Sequence, residues 1–176
     1  MRNGAASSQV VWDIVQRVLH WGLVASIATA WWAGEERLAI HLAAGYVALA
    51  IVACRTIWGW TGSRHARFAD FMQSPGAVWR YARAVAAFDE PRWVGHNPLG
   101  GWMVAALLAL IASVCVTGWL YTTDRFWGLA WLESMHVGGA WLLLGFIALH
   151  VAGVFFTSWR HRENLVAAMW TGRKRR

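Results

Sequence analysis

Residues 135–153 read MHVGGAWLLLGFIALHVAG, and the reading of this stretch decides the fold. His136 and His150 bracket a run that carries no charge. Fourteen residues separate them, close to four turns at about 3.6 residues per turn, so a helix projects both from nearly one face. A rise of about 1.5 Å per residue sets them roughly 21 Å apart along the axis. In a helix crossing a ~30 Å hydrocarbon layer, one histidine falls toward each side of the bilayer. Ionisable groups at such depths are costly and face a partner inside the bundle. Two histidines at two depths therefore require two partners.

The composition agrees with a membrane setting. The chain has 176 residues, 58% hydrophobic and 14% charged, with 15 tryptophans, against about 25% charged in average soluble domains. Its length suits a single domain over 1–176. Cys54 and Cys115 both lie in apolar runs and read as buried free thiols. No C-x-x-C-H is present, so covalent haem attachment is not expected. The polar start lacks the apolar core and small-residue cleavage site of a signal peptide and reads as retained.

Apolar segments at about 10–34, 38–60, 101–121 and 131–159 are each long enough to span. The predicted fold is an all-α integral membrane protein, a four-transmembrane-helix bundle with interfacial amphipathic segments. The links around 35–37 and 122–130 are short, whereas 61–99 is a polar loop. Of sixteen basic residues, only Arg37 and Arg125 fall in the short links; the other fourteen lie in the termini, the long loop and their flanks. That asymmetry places both termini and the long loop in the cytoplasm. The formal charge of +7 is thus topological, and a nucleic-acid partner is excluded. Within the loop, residues 75–88 (PGAVWRYARAVAAF) predict an amphipathic helix with Val78, Tyr81, Val85 and Phe88 on one face and Arg80 and Arg83 opposite. Residues 163–170 and the basic run 173–176 predict a second interfacial segment drawn to anionic lipid.

Depth pairs the histidines. His41 lies just after the outer start of the second helix, level with His136; His20, in the first, is level with His150. A zinc site needs about four ligands in one place, which two pairs ~21 Å apart do not supply. Paired histidines across a bundle suit haem iron, the macrocycle filling the equatorial positions. The chemistry expected is electron transfer through two haems b, His41 with His136 and His20 with His150. Gly45, Gly138, Gly139 and Gly153 each remove a side chain close to one of these histidines. Arg17, one turn before His20, and Arg55, fourteen residues after His41, reach the inner level as partners for haem propionates. Asp13 and Arg17 can pair at i,i+4. His65, His96 and His161 are expected to be solvated or locally bonded.

The motifs Arg17-x-x-His20-Trp21, His41-x-x-x-Gly45-Tyr46, Arg55-x-x-Trp58 and Gly62-Ser63-Arg64 resemble the prokaryotic cytochrome b561 family. The branch they are most similar to contains the cytochrome b subunits of membrane-bound nickel–iron hydrogenases. Gly95-His96-Asn97-Pro98, Arg162-Glu163-Asn164-Leu165 and Gly172-Arg173-Lys174 extend the likeness over nearly the whole chain. The resemblance implies two b haems with His20, His41, His136 and His150 as axial ligands. It also implies electron exchange between membrane quinone and a redox partner, such as a c-type cytochrome, a hydrogenase or another dehydrogenase. On that reading the chain is an electron-transfer subunit rather than a stand-alone catalyst. The competing class is a free-standing oxidoreductase acting between quinone and a small oxidant or reductant such as superoxide.

Overall fold

A computed structural model of the protein describes residues 8–175. The chain is mostly helical, at 74%. Strand β1 (Ser8–Val10) precedes the long helices α1 (Ile14–Ala33) and α2 (Leu38–Thr61). A 3-10 turn (Arg64–Ala66), α3 (Phe68–Phe71) and α4 (Pro75–Ala86) follow. The long helices α5 (Pro98–Tyr121) and α6 (Ala130–Arg160) come next, then α7 (Leu165–Thr171) and β2 (Arg173–Arg175). Helices α2, α5 and α6 are long and apolar enough to cross a membrane. Only 22%, 11% and 6% of their most apolar stretches is buried. Apolar surface left open on that scale is stable against lipid tails, not against water. Helix α1 has 20 residues, but Gln16, Arg17 and His20 in its first two turns leave it outside that apolar class.

Helix starts follow local chemistry. Asp13 Oδ1 accepts the Gln16 backbone N–H at 2.8 Å and caps α1, so the helix begins four residues later than the apolar segment that predicts it. Ser74 and Pro75 open α4, and Asn97 Oδ1, ahead of Pro98, accepts from Gly100 N at 2.7 Å to open α5. Asn164 caps α7 in the same way, from Ala167 N at 2.8 Å. Two expectations need amending. The fold is not purely helical, because β1 and β2 form an antiparallel ribbon with Ser8 opposite Arg175 and Val10 opposite Arg173. Residues 173–175 are therefore a paired strand with Lys174 buried, not a loose basic run. On α4, Tyr81 is buried and Val78 and Val85 half-buried as the amphipathic pattern requires, but Phe88 falls past the helix end at φ 56° and is exposed.

The chain divides into two compact units. The helical unit comprises residues 18–57 and 104–148. Its core is Ala48, Val52, Ile111 and Leu143, with Leu23, Ile27, Leu107 and Ile147 packed against it. The loop-rich unit comprises residues 8–17, 58–103 and 149–175. There Phe71 is fully buried, and the His96 ring lies 4.8 Å from it and 4.6 Å from the Trp12 ring. Asp13 ties two segments of this unit together: besides capping α1, its Oδ2 accepts from Ser63 Oγ at 2.5 Å and Trp58 Nε1 at 3.2 Å. Burial pushes the Asp13 carboxyl up, but the hydrogen bonds from Ser63, Gln16, Trp58 and Val15 together hold it below its ordinary value. It makes no ion pair with Arg17 among the described residues, so that expected pairing is replaced by a node of neutral donors.

Candidate functional site

Within the helical unit, His41 sits in the first turn of α2 and His136 two turns into α6. Their ring centroids are 5.9 Å apart and the planes are inclined at 74°. His41 Nδ1 bonds the Ala30 carbonyl at 2.9 Å and His136 Nδ1 bonds the Val114 carbonyl at 2.9 Å. A carbonyl oxygen only accepts, so in each neutral ring Nδ1 carries the proton and Nε2 the lone pair. This is the tautomer that presents Nε2 to a metal, with the second nitrogen steered by a backbone carbonyl. Two metal–imidazole bonds of about 2 Å span about 4 Å, a distance that rings 5.9 Å apart can supply.

The rings line an open cleft with a cavity volume of about 100 Å³. Ile27, Trp31, Ile111, Trp119 and Leu143 supply apolar walls, and Gly45 opens one side. A Cβ built on Gly45 meets nothing within 4 Å, so this glycine leaves space in the cleft rather than closing a helix contact. Gly118, absent from the sequence expectations, matters more: its Cβ would stand 2.8 Å from His136 Cε1 and 3.0 Å from Nδ1. Its lack of a side chain lets the imidazole lie against the α5 backbone and reach the Val114 carbonyl. Buried Thr117 donates its hydroxyl to the same carbonyl at 2.9 Å. The available signal was a single glycine near one end of an otherwise apolar helix. The other glycines separate by role. Gly139 lies against Val114, its would-be Cβ 3.1 Å from Cγ2, whereas Gly138 is exposed and lines no part of the cleft. Gly153 likewise meets nothing within 4 Å.

His20 lies in the helical unit on α1, its ring edge-on to Trp21 at 5.2 Å. His150, half-buried on α6, belongs to the loop-rich unit. Arg55 is 5% exposed within the helical unit, unusual burial for a guanidinium. Arg17, in the loop-rich unit, donates Nη1 to the Trp170 carbonyl at 2.5 Å, and its Nε is buried without a hydrogen-bond partner among the described residues. The remaining histidines are locally held: His65 Nδ1 lies 3.0 Å from Asp70 Oδ2, and His161 Nε2 is 3.8 Å from the buried Glu90 carboxylate. No group of three or more His, Cys, Asp or Glu side chains able to hold a metal occurs among the described residues.

A family description, prokaryotic cytochrome b561, matches residues 11–172. The chain belongs to the prokaryotic cytochrome b561 family. This is the family that takes in the hydrogenase-type cytochromes b. Comparison with curated proteins and with solved structures returns no match. Membership makes the chain a multi-pass membrane b-type cytochrome of electron transfer, in contact with lipid and with redox partners. Proteins of this family typically bind b-type haem. The residues present fit such a group: two imidazoles with free Nε2 lone pairs, an apolar cleft between them, and a glycine where a side chain would intrude.

Proposed function

We propose that this cytochrome b561-family protein is a four-span conduit carrying electrons across the bacterial inner membrane through two bis-histidine haems b. It works between the quinone pool and a partner redox protein, a c-type cytochrome or a hydrogenase-like subunit. The observation that carries the reading is the His41–His136 pair, facing at 5.9 Å with both Nδ1 atoms committed to backbone carbonyls. Helix α1 is the fourth span, its 20 residues matching the ~20 needed.

Haem, when bound, would supply a one-electron change at iron. The chain's own residues do the rest. His41 and His136 would hold the haem through Nε2, while the carbonyls of Ala30 and Val114 fix each ring's tautomer and orientation. Rings held in this way would move little on a change of charge at the group they hold. The apolar wall of Ile27, Ile111 and Leu143 offers no polar group to a small substrate, which favours electron transfer over small-molecule chemistry at the outer site. His20 and His150 would hold the inner haem, and Arg17 and Arg55 would supply cations to its propionates.

Pyridine hemochrome analysis of the purified protein tests this directly. Two haems b per chain are expected, both low-spin. One haem per chain overturns the two-pair reading, and none overturns the cytochrome reading itself.

A further inference from the structure

Helix α4 turns outward the face opposite to the one an interfacial helix lays on lipid. Tyr81 is buried and Val78 and Val85 are half-buried, so the apolar face is taken up by the protein itself. Gly76, Trp79, Arg80, Arg83 and Ala86 are exposed and, at about 3.6 residues per turn, share one stripe of the helix. The Trp79 side of that stripe is 68% exposed. Arg80 folds back along it, its Nη1 3.6 Å from where a Cβ on Gly76 would stand. Among the described residues neither Arg80 nor Arg83 forms an ion pair. Other arginines of the loop-rich unit do: Arg64 pairs with Asp70 at 3.4 Å, Arg92 with Glu163 at 3.1 Å and Arg160 with Glu90 at 3.1 Å. The stripe thus carries two uncommitted guanidinium groups and an indole, and no carboxylate.

We propose that this stripe binds anionic phospholipid headgroups of the membrane that the protein spans, with Arg80 and Arg83 on lipid phosphates and Trp79 at the edge of the acyl layer. Depth supports it. Trp102, five residues into α5, donates its indole N–H to the Gln73 carbonyl at 2.9 Å, one residue ahead of the Ser74 cap of α4. All of these residues lie in the loop-rich unit. Tryptophan at the mouth of an apolar span sits at headgroup level, so this hydrogen bond holds the start of α4 at that level. The side chains then select the ligand. An exposed indole is costly against water and settles at a bilayer border. Guanidinium forks match phosphate oxygens bidentately, and each basic residue near an anionic surface adds to the attraction. An acidic protein would satisfy the arginines but leave the depth of α4 and the indole beside them without a role.

The test is native mass spectrometry of the delipidated full chain in detergent, titrated with dioleoyl phosphatidylglycerol or with zwitterionic dioleoyl phosphatidylcholine. Removing one basic residue at an anionic surface lowers affinity about fivefold, so the Arg80→Gln/Arg83→Gln double variant is expected to bind phosphatidylglycerol about 25-fold more weakly. Phosphatidylcholine should bind it as before. Arg80→Lys/Arg83→Lys keeps most of the affinity, because an ammonium still attracts phosphate as a point charge. Trp79→Ala should weaken both lipids, and unchanged binding of both overturns the indole's place in the surface. Unchanged phosphatidylglycerol binding in the glutamine variant overturns the proposal, as does an equal loss of both lipids there. Polyglutamate held by the wild type and lost in the glutamine variant, with phosphatidylglycerol binding unaltered, assigns the stripe to an acidic protein and overturns the lipid reading. Should the double variant not fold, Arg83→Gln alone is expected to lower phosphatidylglycerol affinity about fivefold, and no loss overturns the proposal. These outcomes are independent of how many haems the chain holds.

Discussion

At the scale of single residues, the outer site depends on contacts a few tenths of an ångström wide. A Cβ at Gly118 would lie 2.8 Å from His136 Cε1, closer than side-chain carbons approach. The imidazole must turn away, and in doing so it leaves the Val114 carbonyl. Gly118→Val is therefore expected to give a folded protein with one haem per chain, the lost spectrum being the one that His136→Ala removes. Hemochrome ratio and visible spectrum check both parts. Retention of two haems in Gly118→Val would show that His136 does not need its place on α5. The pair also predicts that His41→Ala and His136→Ala abolish the same haem, and that the double variant resembles either single one. Redox-resolved spectra of the three proteins decide it, and loss of different haems in the two single variants rules out a shared iron.

At the scale of elements, the ribbon and its carboxylate make an acid-sensitive fastening. Burial pushes the Glu163 carboxyl up, but hydrogen bonds from Arg92 and Arg175 N, with the charges of Lys174 and Arg92, bring it below its ordinary 4.5. A carboxyl lowered in the folded state adds stability that is fully present above 4.5 and is lost as pH falls through the folded value. Asp13, lowered from 3.8, acts in the same direction at the opening of α1. Acidification below about pH 4 should release the tail before the long helices change. Limited proteolysis at the C-terminus against pH, beside the haem spectrum, measures the order of these events. Glu163→Gln should flatten the part of the tail's profile nearest 4.5. A second element-scale contact lies between α3 and α5, where a Cβ at Gly101 would stand 2.4 Å from the Phe71 carbonyl oxygen. Backbone cannot yield there as a side chain can. Gly101→Ala should cost about 1–3 kcal/mol, the usual range for overpacking, read as a lower unfolding temperature in detergent with an unchanged haem spectrum before unfolding.

At the scale of the whole molecule, charge asymmetry supports the proposed orientation. Fourteen of the sixteen basic residues fall on the side assigned to the cytoplasm. The side chains of Arg64 and Glu36 are 83% and 87% exposed, on opposite sides of that assignment. With a membrane-impermeant thiol reagent, Arg64→Cys should label only from the cytoplasmic face and Glu36→Cys only from the periplasmic face. The reverse pattern inverts the topology and exchanges which haem is inner. Ser63 is a poorer probe, because its hydroxyl holds the Asp13 carboxylate.

Much of this was legible without coordinates, for physical reasons that differ from residue to residue. Long apolar runs leave a chain few alternatives, since in lipid every backbone group must be satisfied within its own helix. The segments at 38–60, 101–121 and 131–159 therefore predict α2, α5 and α6 to within three residues at each end. Depth along such helices is nearly linear in residue number, so the sequence by itself determined that His41 and His136 stand level. Contacts made by backbone atoms carry no such periodicity. The carbonyls of Ala30 and Val114 that set the imidazole tautomers, Gly118 beneath His136, and the Gly172 turn that clasps Arg17 bring together residues between 11 and 155 positions apart. Only the tertiary structure decided these, because any residue type supplies a carbonyl, and a glycine shows its purpose only when something lies against it.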